Sequence, residues 1–95
     1  MPLPHTITVL RVSDTSFRVT VVDGDGQTVH DVTATAADIA RYAPGVNAER
    51  FLTASFEFML EREPKESILR RFDLPLIECY FPDYPVTIRR AVARG

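Results

Sequence analysis

Residues 48–63 read Ala-Glu-Arg-Phe-Leu-Thr-Ala-Ser-Phe-Glu-Phe-Met-Leu-Glu-Arg-Glu, and this stretch decides the fold. Its apolar residues recur at helical spacing and cover well over half of a helix circumference. A helix with so wide an apolar surface must be covered on more than one side. Asn47 is a suitable N-cap, and Pro64 ends the pattern because the residue before a proline avoids the α region. We therefore predict a long central helix over Ala48–Glu63 that dominates the core.

The chain before this helix follows a period of two and predicts a three-stranded antiparallel β-meander over residues 6–33. β-Branched and aromatic residues alternate with polar ones, which favours strands with one buried face. The segment Asp23-Gly24-Asp25-Gly26 is typical of a tight hairpin turn between the second and third strands. We expect the strands to be Thr6–Val12, Phe17–Val22 and Gln27–Thr33, the last of them at an edge of the sheet.

The helical period holds from residue 35 to residue 93, with prolines dividing it into short pieces. Thr35 and Asp38 fit a capping box at the start of a first short helix. After the central helix we predict a short helix over Pro64–Arg71 and another that begins at Pro75. Residues 86–93 are interpreted as a final helix, with a strand at their start as the alternative.

Composition supports a single α+β domain over residues 1–95, with the meander at 6–33 and the helical part at 35–93. The chain is 45% hydrophobic and 25% charged, as ordinary globular domains are. A net charge of −2, from 11 basic and 13 acidic residues, gives no general attraction to nucleic acid or to anionic membranes. The single cysteine, the lack of a signal-peptide pattern and the short apolar runs predict a cytoplasmic protein without a membrane span.

The back half of the chain has the pattern LEREPxxSILxxFDLxxIxxYFP, which begins at Leu60. In this pattern the chain resembles a group of short uncharacterised bacterial proteins. At the front, the strands His5–Val9 and Phe17–Val21 are also similar to that group. The resemblance covers most of the chain and implies one intact domain of bacterial type. It brings no activity, cofactor or site residue with it.

The residues that could hold a metal or form a covalent intermediate are few and scattered. A calcium loop opening at the Asp23–Gly26 turn needs a bidentate Glu at its twelfth position, where this chain has Ala34. His5, His30 and Cys79 have neither metal-ligand spacing nor the pattern of a nucleophile with its base. We therefore predict no metal and no cofactor, solvated histidines, and a Cys79 that packs as a small hydrophobe.

Two alternatives to a binding function follow from charged and helical segments. Acidic residues around the end of the central helix could do acid–base work, but interleaved basic residues favour a solvated, salt-bridged surface. The cluster consists of Glu57, Glu61, Glu63 and Glu66. Together with Cys79 it supports the hypothesis of a small enzyme.

The segment 64–81 could be a helix-turn-helix DNA reader assisted by the C-terminal arginines. However, Pro75–Phe81 offers no Arg, Lys, Asn or Gln to base edges.

The leading hypothesis is a non-enzymatic protein-binding or regulatory module. Its positive support is the aromatic and proline-rich corner Tyr80–Pro85, because rigid aromatic residues often form binding surfaces. The alternative, which is at least as favoured, is that these aromatic residues lock the helices together in the core. A basic tail with Arg89, Arg90 and Arg94 follows the corner. We predict a partner surface made of Tyr80, Tyr84, Arg89 and Arg90. Self-association is a further expectation, since a second copy can complete the edge of so small a sheet.

Overall fold

The computed structural model describes residues 5–93 and places four strands and four α-helices within them. The α+β class is therefore confirmed. The strands are β1 (Thr6–Arg11), β2 (Ser16–Asp23), β3 (Gly26–Thr33) and β4 (Arg71–Asp73). The helices are α1 (Ala36–Tyr42), α2 (Ala48–Leu60), α3 (Leu76–Tyr80) and α4 (Tyr84–Ala93), with a 3₁₀ turn at Lys65–Ser67.

The first three strands form the antiparallel meander that the alternating pattern predicts. The hairpin turn closes with Asp23 opposite Gly26, and Gly26 adopts a positive φ of 133° that a side chain would disfavour. Phe17, Val19 and Val21 of β2 all face the core. The opposite face of the sheet is exposed to solvent and carries apolar side chains, such as Leu10, among its polar ones.

The prediction of a helix over Pro64–Arg71 is wrong, and with it the placement of β3 at an edge. The chain there forms the 3₁₀ turn and then β4, which pairs in parallel with β3 and places Phe72 opposite Val32. The reason is a local period of two: Phe72 and Leu74 are buried, whereas Arg71 and Asp73 are exposed. The sheet therefore has four strands in the order β1-β2-β3-β4.

The central helix begins where predicted but ends earlier. The Asn47 side chain accepts a hydrogen bond from the Arg50 amide at 3.1 Å, and the helix ends at Leu60 instead of Glu63. The amides of Arg62 and Glu63 both bond back to the Met59 carbonyl in a terminal turn. Pro64 cannot donate an amide to continue the ladder.

The remaining helices follow their caps and apolar spacing. Thr35 and Asp38 form the complete capping box of α1, with bonds of 3.0 and 3.1 Å. Residues 86–93 belong to α4, so the prediction of a final helix is confirmed and the strand alternative is not. The core lies between the sheet and the C-terminal helices, and Phe51, Leu52 and Phe56 of α2 are fully buried within it.

Candidate partner-binding groove

The four residues of the predicted partner surface do not form one surface in the structure. Tyr80 is 65% exposed and Arg89 and Arg90 are also exposed, but Tyr84 is fully buried. The expectation that Tyr84 contacts a partner is therefore wrong. Tyr84 shares one face of α4 with Ile88, one turn further on, and this face packs into the core.

A short polar chain satisfies the Tyr84 hydroxyl inside the core. Its oxygen lies 2.7 Å from the Ser55 hydroxyl, which donates to the Phe51 carbonyl at 2.8 Å. Burial raises the pKa of Tyr84 well above its ordinary value. The phenol thus stays protonated and joins α4 to α2.

Arg89 and Arg90, the two tail arginines that the structure describes, make no contact with Tyr80. The Arg89 guanidinium donates to the Arg41 carbonyl at 3.4 Å, near the end of α1. Within residues 5–93, no hydrogen bond, ion pair or cation–π contact joins Tyr80 to Arg89 or Arg90. Arg94 and residues 1–4, which include part of the segment inspected for a signal peptide, lie outside the described residues.

Tyr80 instead borders an open groove of about 210 Å³ between the end of α2, the 3₁₀ turn, β4 and α3. Buried apolar side chains form its floor, and Leu69 (46% exposed) and Tyr80 stand at its rim. Ser67 and Glu63 are its polar members. The floor residues are Met59, Ile68, Phe72 and Ile77.

The local sequence explains why this groove forms. Ile68 follows the 3₁₀ turn with an extended backbone and is buried, whereas its neighbour Leu69 is exposed. In α3, Ile77 faces inward and Tyr80 lies one short turn later at the rim. The volume is below the roughly 300–1,000 Å³ of typical small-molecule pockets. A groove of this size suits one or two apolar side chains of a partner segment.

Among residues 5–93, Glu63 is the one charged residue that lines the groove. It is partly buried, and no cationic side chain of residues 5–93 pairs with its carboxylate. The two basic residues nearest to Glu63 in sequence are engaged elsewhere: Arg62 donates to Asp83 at 3.1 Å, and Lys65 lies 2.8 Å from Asp23. The groove thus combines an apolar floor with one negative charge that has no cationic partner among residues 5–93.

The other acidic residues of the predicted cluster do not assemble an acid–base pair. Glu57 and Glu61 are exposed, and Glu66 binds Lys65 at 2.6 Å. Sequence reasoning missed that Lys65 is only 2% exposed, held between Glu66 and Asp23. The ammonium lowers the pKa of both carboxyls below their ordinary values, so both remain charged at neutral pH. This ion cluster ties the β2–β3 hairpin to the turn after α2.

The expectation of a solvated His30 is wrong, because this residue is fully buried. Its Nδ1 lies 2.8 Å from the Leu69 carbonyl oxygen and its Nε2 lies 2.8 Å from the Thr28 hydroxyl. A carbonyl only accepts, so Nδ1 carries the proton and Nε2 accepts from Thr28 in the neutral ring. Burial lowers the pKa of His30.

His30 therefore anchors the groove wall, since its bond to Leu69 joins that wall to β3. A signal for this burial was present in the sequence. His30 lies two residues before Val32 and two after Thr28 on one strand, and residues at that spacing share a face.

The expected packing of Cys79 is also wrong: its side chain is exposed on α3. The segment 64–81 is a 3₁₀ turn, a strand and one five-residue helix, so the helix pair that the DNA-binding hypothesis needs is not formed.

Within residues 5–93, no three His, Cys, Asp or Glu side chains are grouped so that they could hold a metal ion. In the same range no helix has the length and apolarity to cross a membrane. Comparisons of the chain with family models, curated proteins and solved structures find no match.

Proposed function

We propose that this chain is a non-enzymatic protein-binding module whose groove receives an apolar side chain of a short partner segment. The observation that carries the proposal is the groove with an apolar floor and an exposed Leu69–Tyr80 rim, beside a Glu63 carboxylate that no cation of residues 5–93 pairs with. A basic residue next to the apolar one in the partner pairs with this carboxylate. The partner is thus a segment of protein with an apolar residue and a neighbouring Lys or Arg.

The apolar part of the groove favours binding because it needs little rearrangement. Its floor belongs to the hydrophobic core, so it is preformed and its ordering adds no cost on association. Leu69 and Tyr80 at the rim are exposed, and covering a large apolar side chain contributes roughly 1.5–3 kcal/mol. Tyrosine is a frequent anchor residue at interfaces.

The charge supplies selectivity. Glu63 is partly shielded from water, so its attraction for a cation is stronger there than on an open surface. Complementary charge sets the preferred partner and the association rate more than the total affinity. We expect the groove to discriminate between segments by the basic residue next to the apolar anchor.

A displayed library of short random peptides tests the groove. We expect selected peptides to share an apolar residue with a nearby Lys or Arg, and Tyr80→Ala to weaken their binding by about tenfold or more. Val86→Ala is the matched control, because Val86 is 56% exposed on α4 and does not line the groove. Failure to select any peptide, or equal losses in the two variants, would contradict the proposal.

A charge-matched pair of peptides tests Glu63. The best selected peptide and its version with Gln in place of the basic residue are titrated against wild type and Glu63→Gln. We expect wild type to prefer the basic peptide and Glu63→Gln to bind both peptides equally. Glu61→Gln is the control, since Glu61 is exposed outside the groove. A preference that survives Glu63→Gln rules out the role of this carboxylate.

The bacterial cytoplasm is the setting that goes with this proposal. A single cysteine agrees with a reducing compartment. The two alternatives lack a supporting observation within residues 5–93: Cys79 has no hydrogen-bonded base there, and the 64–81 helix pair is not formed. The protein-binding function is therefore the one we carry forward.

A further inference from the structure

The outer edge of β1 is an open row of hydrogen-bonding groups. The Val12 amide, just after β1, donates to the Ser16 carbonyl at 2.8 Å. In the same register, the even-numbered residues of β1 form their backbone hydrogen bonds with β2. Ladder bonds alternate along an antiparallel pair, and the odd-numbered residues Ile7, Val9 and Arg11 therefore direct their backbone groups away from β2. Within residues 5–93, no other backbone segment bonds to these three residues.

Among residues 5–93, this edge has few of the devices that keep strand edges from pairing: α2 contacts β1, but no backbone segment bonds to its outward groups. Natural edges are blunted by lysines, prolines, bulges or covering segments. β1 contains neither lysine nor proline, and its one charged residue, Arg11, is held toward Glu49 at 3.6 Å. Leu10 is 58% exposed on the open face beside the edge, and Val12 just after the strand is 56% exposed.

We propose that β1 pairs in antiparallel fashion with β1 of a second copy of this chain, with the two-fold axis at Val9. In this register Val9 lies opposite Val9 of the other copy, and Ile7 lies opposite Arg11. Each of these residue pairs exchanges two backbone hydrogen bonds, so every outward group of Ile7, Val9 and Arg11 is used. The two four-stranded sheets join into one continuous sheet.

The strand's own sequence favours a second copy as the occupant. In this register the Arg11 side chains of the two copies lie at opposite ends of the pair, so the like charges stay apart. The Leu10 side chains lie diagonally across the axis, at the roughly 7–8 Å spacing where long side chains can touch. Each exposed Leu10 thus covers the other.

The two-fold arrangement also closes the assembly. A two-fold interface uses the same patch on both copies and ends there, so it does not propagate into a fibre. The edges that remain are the β4 strands, which have only three residues each. The groove adjoins β4, at the end of the sheet opposite β1. The dimer therefore presents its two grooves at its outer ends, whatever they bind.

Sedimentation equilibrium of the full chain over a wide concentration range tests the dimer. We expect reversible dimerisation of the wild type, with Leu10→Lys weakening the dimer at least about tenfold by like-charge repulsion near the axis. Val22→Lys is the matched control: Val22 is 38% exposed in β2, which is not an edge strand, and it should dimerise as wild type does. A wild type that is monomeric throughout, or equal losses in both variants, overturns the proposal.

A charge exchange and a backbone measurement complete the test. Leu10→Lys and Leu10→Glu are each expected to be monomeric, whereas their equimolar mixture forms heterodimers. Amide hydrogen exchange of wild type should slow at Ile7, Val9 and Arg11 as the protein concentration rises. A mixture that stays monomeric, or a dimer that leaves these three amides unprotected, shows that another surface is used.

Discussion

The meander and the segment 64–93 are stabilised in different ways. In the meander, each strand is joined to the next by a tight turn and pairs along its whole length, so its bonds are local in sequence. The later segment consists of a three-residue turn, a three-residue strand, a five-residue helix and a ten-residue helix. Isolated helices this short are not stable in water. Distant residues must hold them.

Those distant contacts can be named. The His30 ring binds the Leu69 carbonyl, Lys65 binds Asp23 of the hairpin, and the Tyr42 hydroxyl donates to Glu78 at 2.8 Å. Each bond joins the later segment to an element that precedes it by more than 30 residues. The groove therefore lies where tertiary contacts, and not local preference, determine the backbone.

Removing the side chain that joins the two regions should have the largest effect. Phe56 is fully buried, with its ring centroid 5.3 Å from His30 of β3 and 6.2 Å from Phe72 of β4. We expect Phe56→Ala to lower the free energy of unfolding by about 3–5 kcal/mol, because it leaves a cavity between both regions. Urea unfolding followed by circular dichroism measures this loss.

The same experiment shows whether the two regions unfold together. We expect one transition for wild type and for Phe56→Ala, since a single core covers both regions. Val86→Ala, at an exposed position, should change the free energy by no more than about 0.5 kcal/mol. Two separate transitions in wild type would mean that the meander and the later segment are independent.

The hydrogen bonds of His30 give the next largest effect. His30→Leu keeps an apolar side chain in the core but leaves the Leu69 carbonyl and the Thr28 hydroxyl without their partner. We expect a loss of about 1–3 kcal/mol, the cost of unsatisfied buried polar groups. The groove wall should loosen with it, so hydrogen exchange should accelerate in residues 68–73 more than in the β1–β2 hairpin. Equal acceleration in both places would contradict the anchoring role.

Acidification should lower the free energy of unfolding through His30, but by less than His30→Leu does. Burial lowers the pKa of His30 from its ordinary 6.5, so the unfolded chain takes up this proton at higher pH than the folded chain does. The contribution of neutral His30 is therefore complete above pH 6.5 and is lost as the pH falls from there toward the lowered value. The protonated ring still donates from Nδ1 to Leu69 and can donate from Nε2 to Thr28, so only the desolvation cost is added.

Urea titrations between pH 7.5 and pH 5 measure this loss, with His30→Leu as the reference. Wild type should lose stability over that range, and His30→Leu should lose less. Glu66 and Asp23 contribute in a separate range, because their pKa values are lowered from 4.5 and 3.8, so their contributions are lost only in stronger acid. A wild type with the same pH dependence as His30→Leu would mean that the ring is not buried in its neutral form.

The sequence predicts the meander well because its signals are local. Alternation places Phe17, Val19 and Val21 in the core, and Asp23–Gly26 has the composition of its turn. The capping residues Thr35 and Asn47 bond to residues only three positions away, so they too can be predicted from the local sequence. These features require no knowledge of what lies across the fold.

The groove was harder to predict because each of its residues depends on a distant neighbour. Residues 71–74 fit both a helical and an alternating pattern, and pairing of residues 71–73 with β3 decides for the strand. Tyr80 and Tyr84 were both assigned to the predicted partner surface, but Tyr80 is exposed whereas Tyr84 is buried against Ser55, which lies 29 residues earlier. Glu63 could not be distinguished from its acidic neighbours until the partners of Arg62 and Lys65 were known.

The smallest effect should come from a contact within the meander. Arg18 and Asp31 form an ion pair of 3.4 Å on the open face of the sheet, and about half of each side chain is exposed. These residues already face each other in the β2–β3 ladder, so the ion pair adds little to a geometry that the backbone holds. We expect Arg18→Gln to cost between about 0 and 1 kcal/mol in urea unfolding, and less in high salt. A cost as large as that of His30→Leu would mean that side-chain contacts hold the meander as they hold the later segment, and the contrast between the two regions would disappear.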